Sequence, residues 1–447
     1  MHLSYAPLDS GLTPLLLHEV RGTPSLLDTT AAALKSGASE LEILTDLRRR
    51  WSGELARAAL TIVKVSHRAL KGKFNQLQSR LPVLYAVPEA LEQATPLPAA
   101  LHKAAIIAAA ITPGAYAVDV GCGIGGDSIA LARHFPLLAM EISPVRALLV
   151  HWNLQALSLR HLVVQCDVAH RLAHLSSATV LHADPARRNG GRRTPDQYYP
   201  DLHLLEQIAR PCALAAVKVS PAADFPALPP GPLELLSVDG QVVEATLWLG
   251  QNRDALQLGI RTATLIEGRR KWRMTGTPQS AIPTLASADR FIFEIAGALT
   301  RSGLAWNLLG ALQLQPITAD GCYATGPMPV GHPALRVFEV LTVVPFDLTR
   351  LRRAVASLPK DSSDGMPQIE VKTRGGLGIN TDSLQKKLAP YARQNGVVII
   401  YRGSDGVAAA VTHRVPVDQW NLMASQITPG AMNPSAELGV VSSAEEF

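Results

Sequence analysis

The chain has 447 residues, 47% of them hydrophobic and 18% charged, with a formal net charge of +5 at pH 7. That length exceeds one usual domain and predicts roughly two to four, and the composition suits a well-buried globular protein. The modest basicity permits a nucleic-acid partner without requiring one.

Four cysteines, Cys122, Cys166, Cys212 and Cys322, are widely spaced and form no C-x-x-C. Reduced thiols in a cytoplasmic protein are expected, and a metal site is not. The first residues, Met1-His2-Leu3-Ser4-Tyr5-Ala6-Pro7, show no basic region followed by an apolar core, so no signal peptide is expected. No run of about 18 apolar residues occurs, so no membrane span is expected either.

Residues 1 to about 25 read as a loose lead-in, followed by a mostly helical region up to about residue 100. Leu41, Leu44 and Leu47 recur at a spacing of three, which predicts one helix face. Leu55, Ala58, Ala59 and Ile62 repeat the pattern after Gly53. Arg48, Arg49, Arg50, Arg57, His67, Arg68, Lys71 and Lys73 make this region basic. A solvated helix face is the favoured reading of that charge, and a nucleic-acid surface is the alternative. Pro82 and Pro88 break the helices. Thr95 can cap the next helix, and Pro98 suits its first turn. Lys103, on that helix, reads as an exposed lysine rather than a site residue.

Ala115 to Val120 is an apolar strand carrying Asp119 near its end. It runs into the turn Gly121-Cys122-Gly123-Ile124-Gly125-Gly126, and a helix starts near Asp127-Ser128. Strand, glycine turn and helix N-terminus together let backbone approach a ligand closely. The turn satisfies G-x-G-x-x-G, a weak signal by itself. What surrounds it is more specific. Asp119, two residues before the first glycine, can reach a ligand amino group, whereas a pyrophosphate gains nothing from an anion there. Leu137 to Glu141 is a second strand, ending in an acid about 20 residues after the first glycine, where ribose hydroxyls are bound. Leu162 to Asp167 ends in an acid placed for an adenine amino group, and Val180 to Asp184 ends a fourth strand. This series favours S-adenosylmethionine over a nicotinamide dinucleotide. The candidate cofactor contacts are Asp119, Gly121, Cys122, Gly123, Gly125, Glu141, Ile142, Asp167 and Val168.

From about Ala115 to Gly250 the chain resembles the class I S-adenosylmethionine-dependent methyltransferases. The resemblance implies an α/β fold with a Rossmann-like, seven-stranded sheet. An N-terminal helical region would precede it and small α+β domains would follow.

The loop after the fourth strand places Arg187, Arg188, Arg192, Arg193, Tyr198 and Tyr199 where a methyl acceptor must enter. Arginine suits phosphate or a guanidinium stack, and tyrosine can stack on a base. Arg187, Arg188, Arg192, Arg193 and Tyr198 are therefore candidate substrate contacts. Lys218 interrupts the apolar strand Ala213 to Ser220; a substrate contact and a structural ion pair are equally open for it. Leu233 to Val238, Asp239-Gly240 and Val242 to Leu249 read as a hairpin, with Glu244 on its second strand. Arg269 to Arg273 is a basic run around Trp272, either an RNA contact or a strand edge guarded by charge.

Beyond Asp289 helices and strands alternate: strands at 335–341, 368–374, 396–402 and 407–411, helices at 347–358 and 381–394. No internal repeat is visible. Asp184-Pro185-Ala186-Arg187-Arg188, Gly191-Arg192-Arg193, Val217-Lys218-Val219-Ser220-Pro221 and Lys372-Thr373-Arg374-Gly375-Gly376 resemble a group of bacterial proteins. These join a methyltransferase to a ferredoxin-like unit and a THUMP-like domain, which implies a structured RNA as substrate. The division expected from it is a helical region 1–100, a methyltransferase domain 101–265, a ferredoxin-like unit 285–346, a THUMP-like domain 347–416 and a tail 417–447.

More remotely the chain resembles enzymes that methylate the exocyclic amine of guanosine. Those carry Asp/Asn-Pro-Pro followed by an aromatic residue, and here Ala186 and Arg187 replace the last two. Asp184 and the carbonyl near Pro185 are the expected catalytic groups. They would hold an acceptor's N–H groups so that its lone pair faces the methyl group. Cys122 is badly placed as a nucleophile and Cys166 reads as core. A protein or small-molecule acceptor, or a non-catalytic RNA-binding protein, are the other readings. The oligomeric state is left open.

Overall fold

The computed structural model describes residues 11–168, 176, 179–186, 198–256, 258–279, 285–358, 368–374 and 376–416. These fall into two compact units. The first runs to Pro232 and takes up the chain again from Val243 to residue 256; the second holds Leu233–Val242 and the described residues from 258 onward. The expected boundaries at residues 100 and 265 do not appear as cuts in this division.

The first unit opens with α1 (Pro14–Arg21), α2 (Pro24–Lys35), α3 (Glu40–Leu47) and α4 (Gly53–Lys71). The expectation of a loose lead-in to about residue 25 is corrected by α1. Thr13 accepts a hydrogen bond from the Leu16 N–H and Pro14 occupies the first turn. Eight residues make no stable helix alone. This one forms because Leu17 and Val20 are buried, each 1% exposed, and α1 packs on α4. In α3 the buried face is Ile43 and Leu47; of the expected stripe, Leu47 is buried and Leu44 half-buried, while Leu41 is exposed and Ile43 takes its place. A capping box of Ser39 and Glu42 fixes the start of α3. Arg48, Arg49, Arg50, Arg57, His67, Arg68 and Lys71 are exposed. Lys73 instead donates to the carbonyls of Leu91, Glu92 and Ala94. It thereby closes the end of α5 (Pro88–Gln93).

After α6 (Leu97–Ala110) come β1 (Tyr116–Val120), α7 (Gly126–Ala132), β2 (Leu137–Glu141), α8 (Pro144–Ala156) and β3 (His161–Gln165). Then follow β4 (Thr179–Ala183), α9 (Leu202–Ala209) and β5 (Leu214–Val219). β1 to β5 are parallel in the order β3-β2-β1-β4-β5. β1, β4 and β5 are almost wholly buried, as strands covered on both faces must be. β3 is the edge strand, and Leu162 on it is 61% exposed. The next strand, β6 (Leu233–Val238), belongs to the second unit, and β7 (Gln241–Leu249) lies antiparallel to β5. Asp239 and Gly240 between them are both left-handed, the backbone that a two-residue hairpin turn requires.

In the second unit β6 pairs with β8 (Arg261–Glu267), which pairs with β9 (Arg270–Gly276). The basic run lies on β9, and Trp272 packs edge-on against buried His332 rather than standing free. Next come β10 (Phe291–Ile295), α10 (Gly297–Ser302), α11 (Ala305–Leu312), β11 (Gln315–Pro316), β12 (Tyr323–Gly326) and β13 (Leu335–Pro345). The chain continues through α12 (Leu348–Ala356), β14 (Ile369–Thr373), α13 (Thr381–Leu388), β15 (Gly396–Gly403) and β16 (Gly406–Arg414). β10 to β16 form one seven-stranded sheet, ordered β11-β12-β10-β13-β16-β15-β14. The segments 285–346 and 347–416 therefore share a sheet, through the pairing of β13 with β16. α12 and α13 pack Leu351, Val355, Leu384 and Leu388 onto one face of it. The expected helix 381–394 stops at Leu388, where Pro390 cannot continue it. The tail 417–447 lies outside the described residues.

Leu17→Ala is expected to lower the unfolding free energy by about 2–5 kcal/mol in urea titrations. Wild-type stability for that variant would mean that α1 is no part of the core.

Candidate active site

The parallel strands bring the sequence-predicted acids to one edge, at their carboxyl ends. β1 leads into the glycine turn, whose first residue adopts φ +73°. A Cβ on Gly121 would stand 2.9 Å from the Asp184 carbonyl oxygen, so only glycine lets the two strand ends close on each other. The Asp184 N–H donates to the Val120 carbonyl at 3.0 Å and completes that contact. Gly126, opening α7, has no room for a side chain because the Thr95 carbonyl would lie 2.8 Å from it.

Glu141, at the end of β2, is 4% exposed. Its carboxylate accepts from the Gly123 N–H at 2.9 Å and the Ser143 N–H at 3.0 Å. Ile142 beside it is 37% exposed, an apolar surface next to a polar anchor. Asp167 is half-buried and accepts from the Tyr199 hydroxyl at 2.6 and 2.7 Å. Gly121 is exposed, Gly123 half-buried, and Cys122, Gly125 and Val168 are buried. Burial, then Glu141 and Asp119, push the Cys122 thiol well above its ordinary range, so it is no nucleophile. Cys166, expected in the core, is only half-buried.

Asp119 is placed differently from its reading. It is 0% exposed, accepts from the Ser128 hydroxyl, and pairs with His182 Nδ1 at 2.7 Å. Its carboxylate faces into the protein. Lys103 corrects the reading more sharply: it is 2% exposed and lies 2.8 Å from both Asp127 and Glu244. Thr95, expected to cap α6, makes no capping bond there. Its hydroxyl instead donates to Asp127 at 2.5 Å and accepts from Lys218 at 2.7 Å. Lys218 reaches Asp184 at 2.6 Å and Glu244 at 3.8 Å.

One connected set of charges thus runs from Asp119 through His182, Asp127, Lys103, Glu244 and Lys218 to Asp184. The Asp184 side chain is 36% exposed, against 12% or less for the others, so the set meets solvent there. Burial works against the charge of Lys103, but Asp127 and Glu244 outweigh it and raise its pKa. Lys218 is raised likewise, by Asp184 first, then Asp127 and Glu244, against its own burial. Asp127 is held far below the ordinary carboxylate range, because Lys103, His182 and Lys218 outweigh its burial. His182 is raised because Asp127 and Asp119 outweigh its burial.

Tyr198 accepts the Ser220 N–H at 2.9 Å, which ties the loop to the end of β5. Arg187, Arg188, Arg192 and Arg193 lie outside the described residues. The sequence reading did not single out Thr95, Lys103, Asp127, His182 and Glu244 for this set, and it named Tyr199 only as a residue of the acceptor loop. Two carried a signal, a lone lysine in the apolar run of α6 and a lone acid in the apolar run of β7. Among the described residues no helix is long and apolar enough to cross a membrane, and no cluster of ligands could hold a metal ion.

No family model matches the chain. It is 32% identical over 337 residues to proteins of two strains of Mycobacterium tuberculosis, both described as uncharacterised S-adenosylmethionine-dependent methyltransferases. The match spans 72% of this chain and 86% of each relative. A crystal structure of a candidate methyltransferase from Porphyromonas gingivalis superposes with a TM-score of 0.62 at 18% identity. It covers 88% of this chain and 99% of that one, and at such identity the likeness shows the fold alone.

The pKa of His182 is raised above 6.5, the value of a free imidazole. Its protonated form therefore contributes stability that is fully present below pH 6.5 and is lost as pH rises through the folded-state pKa. His182→Gln should cost most at pH 6, and its deficit should shrink at alkaline pH, in urea unfolding followed by circular dichroism. A deficit independent of pH would contradict the charged imidazole.

Proposed function

Starting from the fact that the chain belongs to the S-adenosylmethionine-dependent methyltransferases, we propose that it methylates a base of a structured, cytoplasmic RNA. The observation that carries this reading is the pairing of Asp184 with Lys218 at the carboxyl end of β4, the half-exposed end of a buried charge set. In sequence that strand end leads directly into Arg187, Arg188, Arg192 and Arg193. Four guanidinium groups following a strand-end carboxylate in the sequence suit a substrate that offers phosphates and a base together.

The residues present fit S-adenosylmethionine, the cofactor. Glu141 stands at the end of β2 with a carboxylate of the kind that accepts from ribose hydroxyls, Ile142 offers an apolar surface, Asp167 can accept from an adenine amine, and Gly121 and Gly123 keep the turn open. Bound there, the cofactor supplies a methyl group already activated on a sulfonium. Asp119 serves the turn from behind, through Ser128 and His182, rather than touching ligand.

The protein's own task is then to position the acceptor. The Asp184 carboxylate and the Pro185 carbonyl accept N–H hydrogen bonds from an acceptor amine. The lone pair of that nitrogen would then be left facing the methyl group that the bound cofactor supplies. The proton shed by that nitrogen would leave through the Asp184 carboxylate, whose side chain is 36% exposed. Lys218 donates to Asp184 and fixes the direction of its carboxylate. Tyr198 anchors the loop that carries the arginines.

Asp184→Asn should lower methyl transfer to total RNA from a deletion strain by roughly 10²-fold, with S-adenosylhomocysteine affinity by calorimetry unchanged. Wild-type turnover by this variant would remove Asp184 from the reaction. Failure of the wild-type enzyme to methylate that RNA, while methylating protein or small-molecule extracts, would remove RNA as substrate.

A further inference from the structure

The second unit holds a charged cluster that methyl transfer does not use. Glu294 of β10 is buried, its side chain 5% exposed, and stands in register with Arg336 of β13. A buried carboxylate needs a counter-charge. Lys372 of β14 supplies one, donating to both oxygens at 3.0 and 3.3 Å. Two guanidinium groups also lie against the same carboxylate. Arg374 lies 3.0 Å from it and donates to the Ile295 carbonyl at 3.2 Å. Arg336 stands 3.8 Å away, beyond hydrogen-bond reach, with its side chain 42% exposed. The neighbouring acid Glu370 is engaged by Arg414 at 3.1 Å and Lys372 at 3.6 Å. Four cations, Arg336, Lys372, Arg374 and Arg414, thus share two acids, Glu294 and Glu370.

The surplus opens on a space. Arg336 and Arg374 line a small open cleft with Ser237, Gly240, Glu267, Glu294 and Ala334. Glu267, the other acid on its wall, faces Arg270 across the β8–β9 ladder. Gly240 is part of the construction of this wall. A Cβ there would stand 2.3 Å from Arg336 Nη2, so the turn after β6 leaves room for the guanidinium. Burial would raise the pKa of Glu294, but Arg374 and Lys372 outweigh it and keep it low. The carboxylate therefore stays charged and acts as a fixed anchor for the arginines.

We propose that Arg336 and Arg374 form a receptor for a phosphoryl oxyanion in this cleft, with Glu294 orienting the two guanidinium groups. Their planar forks match the oxygens of a phosphate, and an already paired carboxylate holds them in place before the ligand arrives. The phosphoryl group can belong to the end of a ribonucleotide chain or to a diester within it; the chemistry of recognition is shared. The receptor does not depend on which acceptor is methylated.

The test is calorimetric titration of the full-length chain with an oligoribonucleotide carrying a 5′-phosphate and with the same oligonucleotide ending in a 5′-hydroxyl. Wild type is compared with Arg336→Gln and Arg374→Gln. Melting temperature and S-adenosylhomocysteine binding verify that each variant is folded. The wild-type chain should bind, and each folded variant should lose about tenfold in affinity, the worth of one charge-assisted contact. A wild-type preference for the 5′-phosphate that the variants lose identifies a terminal phosphate. Equal wild-type binding of both oligonucleotides, falling equally in the variants, identifies an internal diester. Absence of wild-type binding, or unchanged affinity in a folded Arg336→Gln, overturns the proposal. Arg336 is the more exposed of the two, so its variant carries the test even if Arg374→Gln fails to fold.

Discussion

Lys103 is the constraint on which the first unit depends. Moving an ammonium out of water costs several kcal/mol, and the loss is offset only by close, well-directed partners. Asp127 and Glu244, both at 2.8 Å, are those partners. They come from α7 and β7, so one side chain of α6 fixes the position of two elements distant from it in sequence. Asp127 in turn holds Thr95 and stands near His182; Glu244 stands near Lys218. The placement of Asp184 at the strand edge is therefore not a local property of its loop. It is inherited from charges that must all be satisfied together, because leaving any one buried and unpaired is more costly than losing the pair.

Much of the first unit was legible in the sequence because its signals are local. A strand buried on both faces must be an apolar run, and an acid at its end marks where it leaves the core. That gave β2 its observed limits, Leu137–Glu141, and the same signal gave β6 of the second unit its limits, Leu233–Val238. The glycine turn was legible because its positive φ angles and close approaches admit no other residue type. The failures share one cause. Lys103, Thr95 and Asp119 were assigned from their own surroundings in the chain, whereas their roles are set by partners remote in sequence. A lysine in an apolar helix is either exposed or fully paired, and only the fold decides which. α1 failed for a related reason: its eight residues have no helical preference strong enough to read, and burial of Leu17 and Val20 supplies the missing stability.

The two units treat buried acids in opposite ways. In the first, four carboxylates, Asp119, Asp127, Asp184 and Glu244, face two lysines and one imidazole. The raised pKa of His182 follows directly, since protonating it lessens the excess of negative charge. In the second, Glu294 has three cationic neighbours, and the excess is positive. Within these two sets neither excess is balanced. Charge that folding leaves uncompensated in a low-dielectric surround interacts strongly with whatever ion comes next. An acid-rich strand edge favours a cationic ligand such as a sulfonium, and a cation-rich cleft favours an oxyanion. The sign of each imbalance separates the electrostatics of the two units.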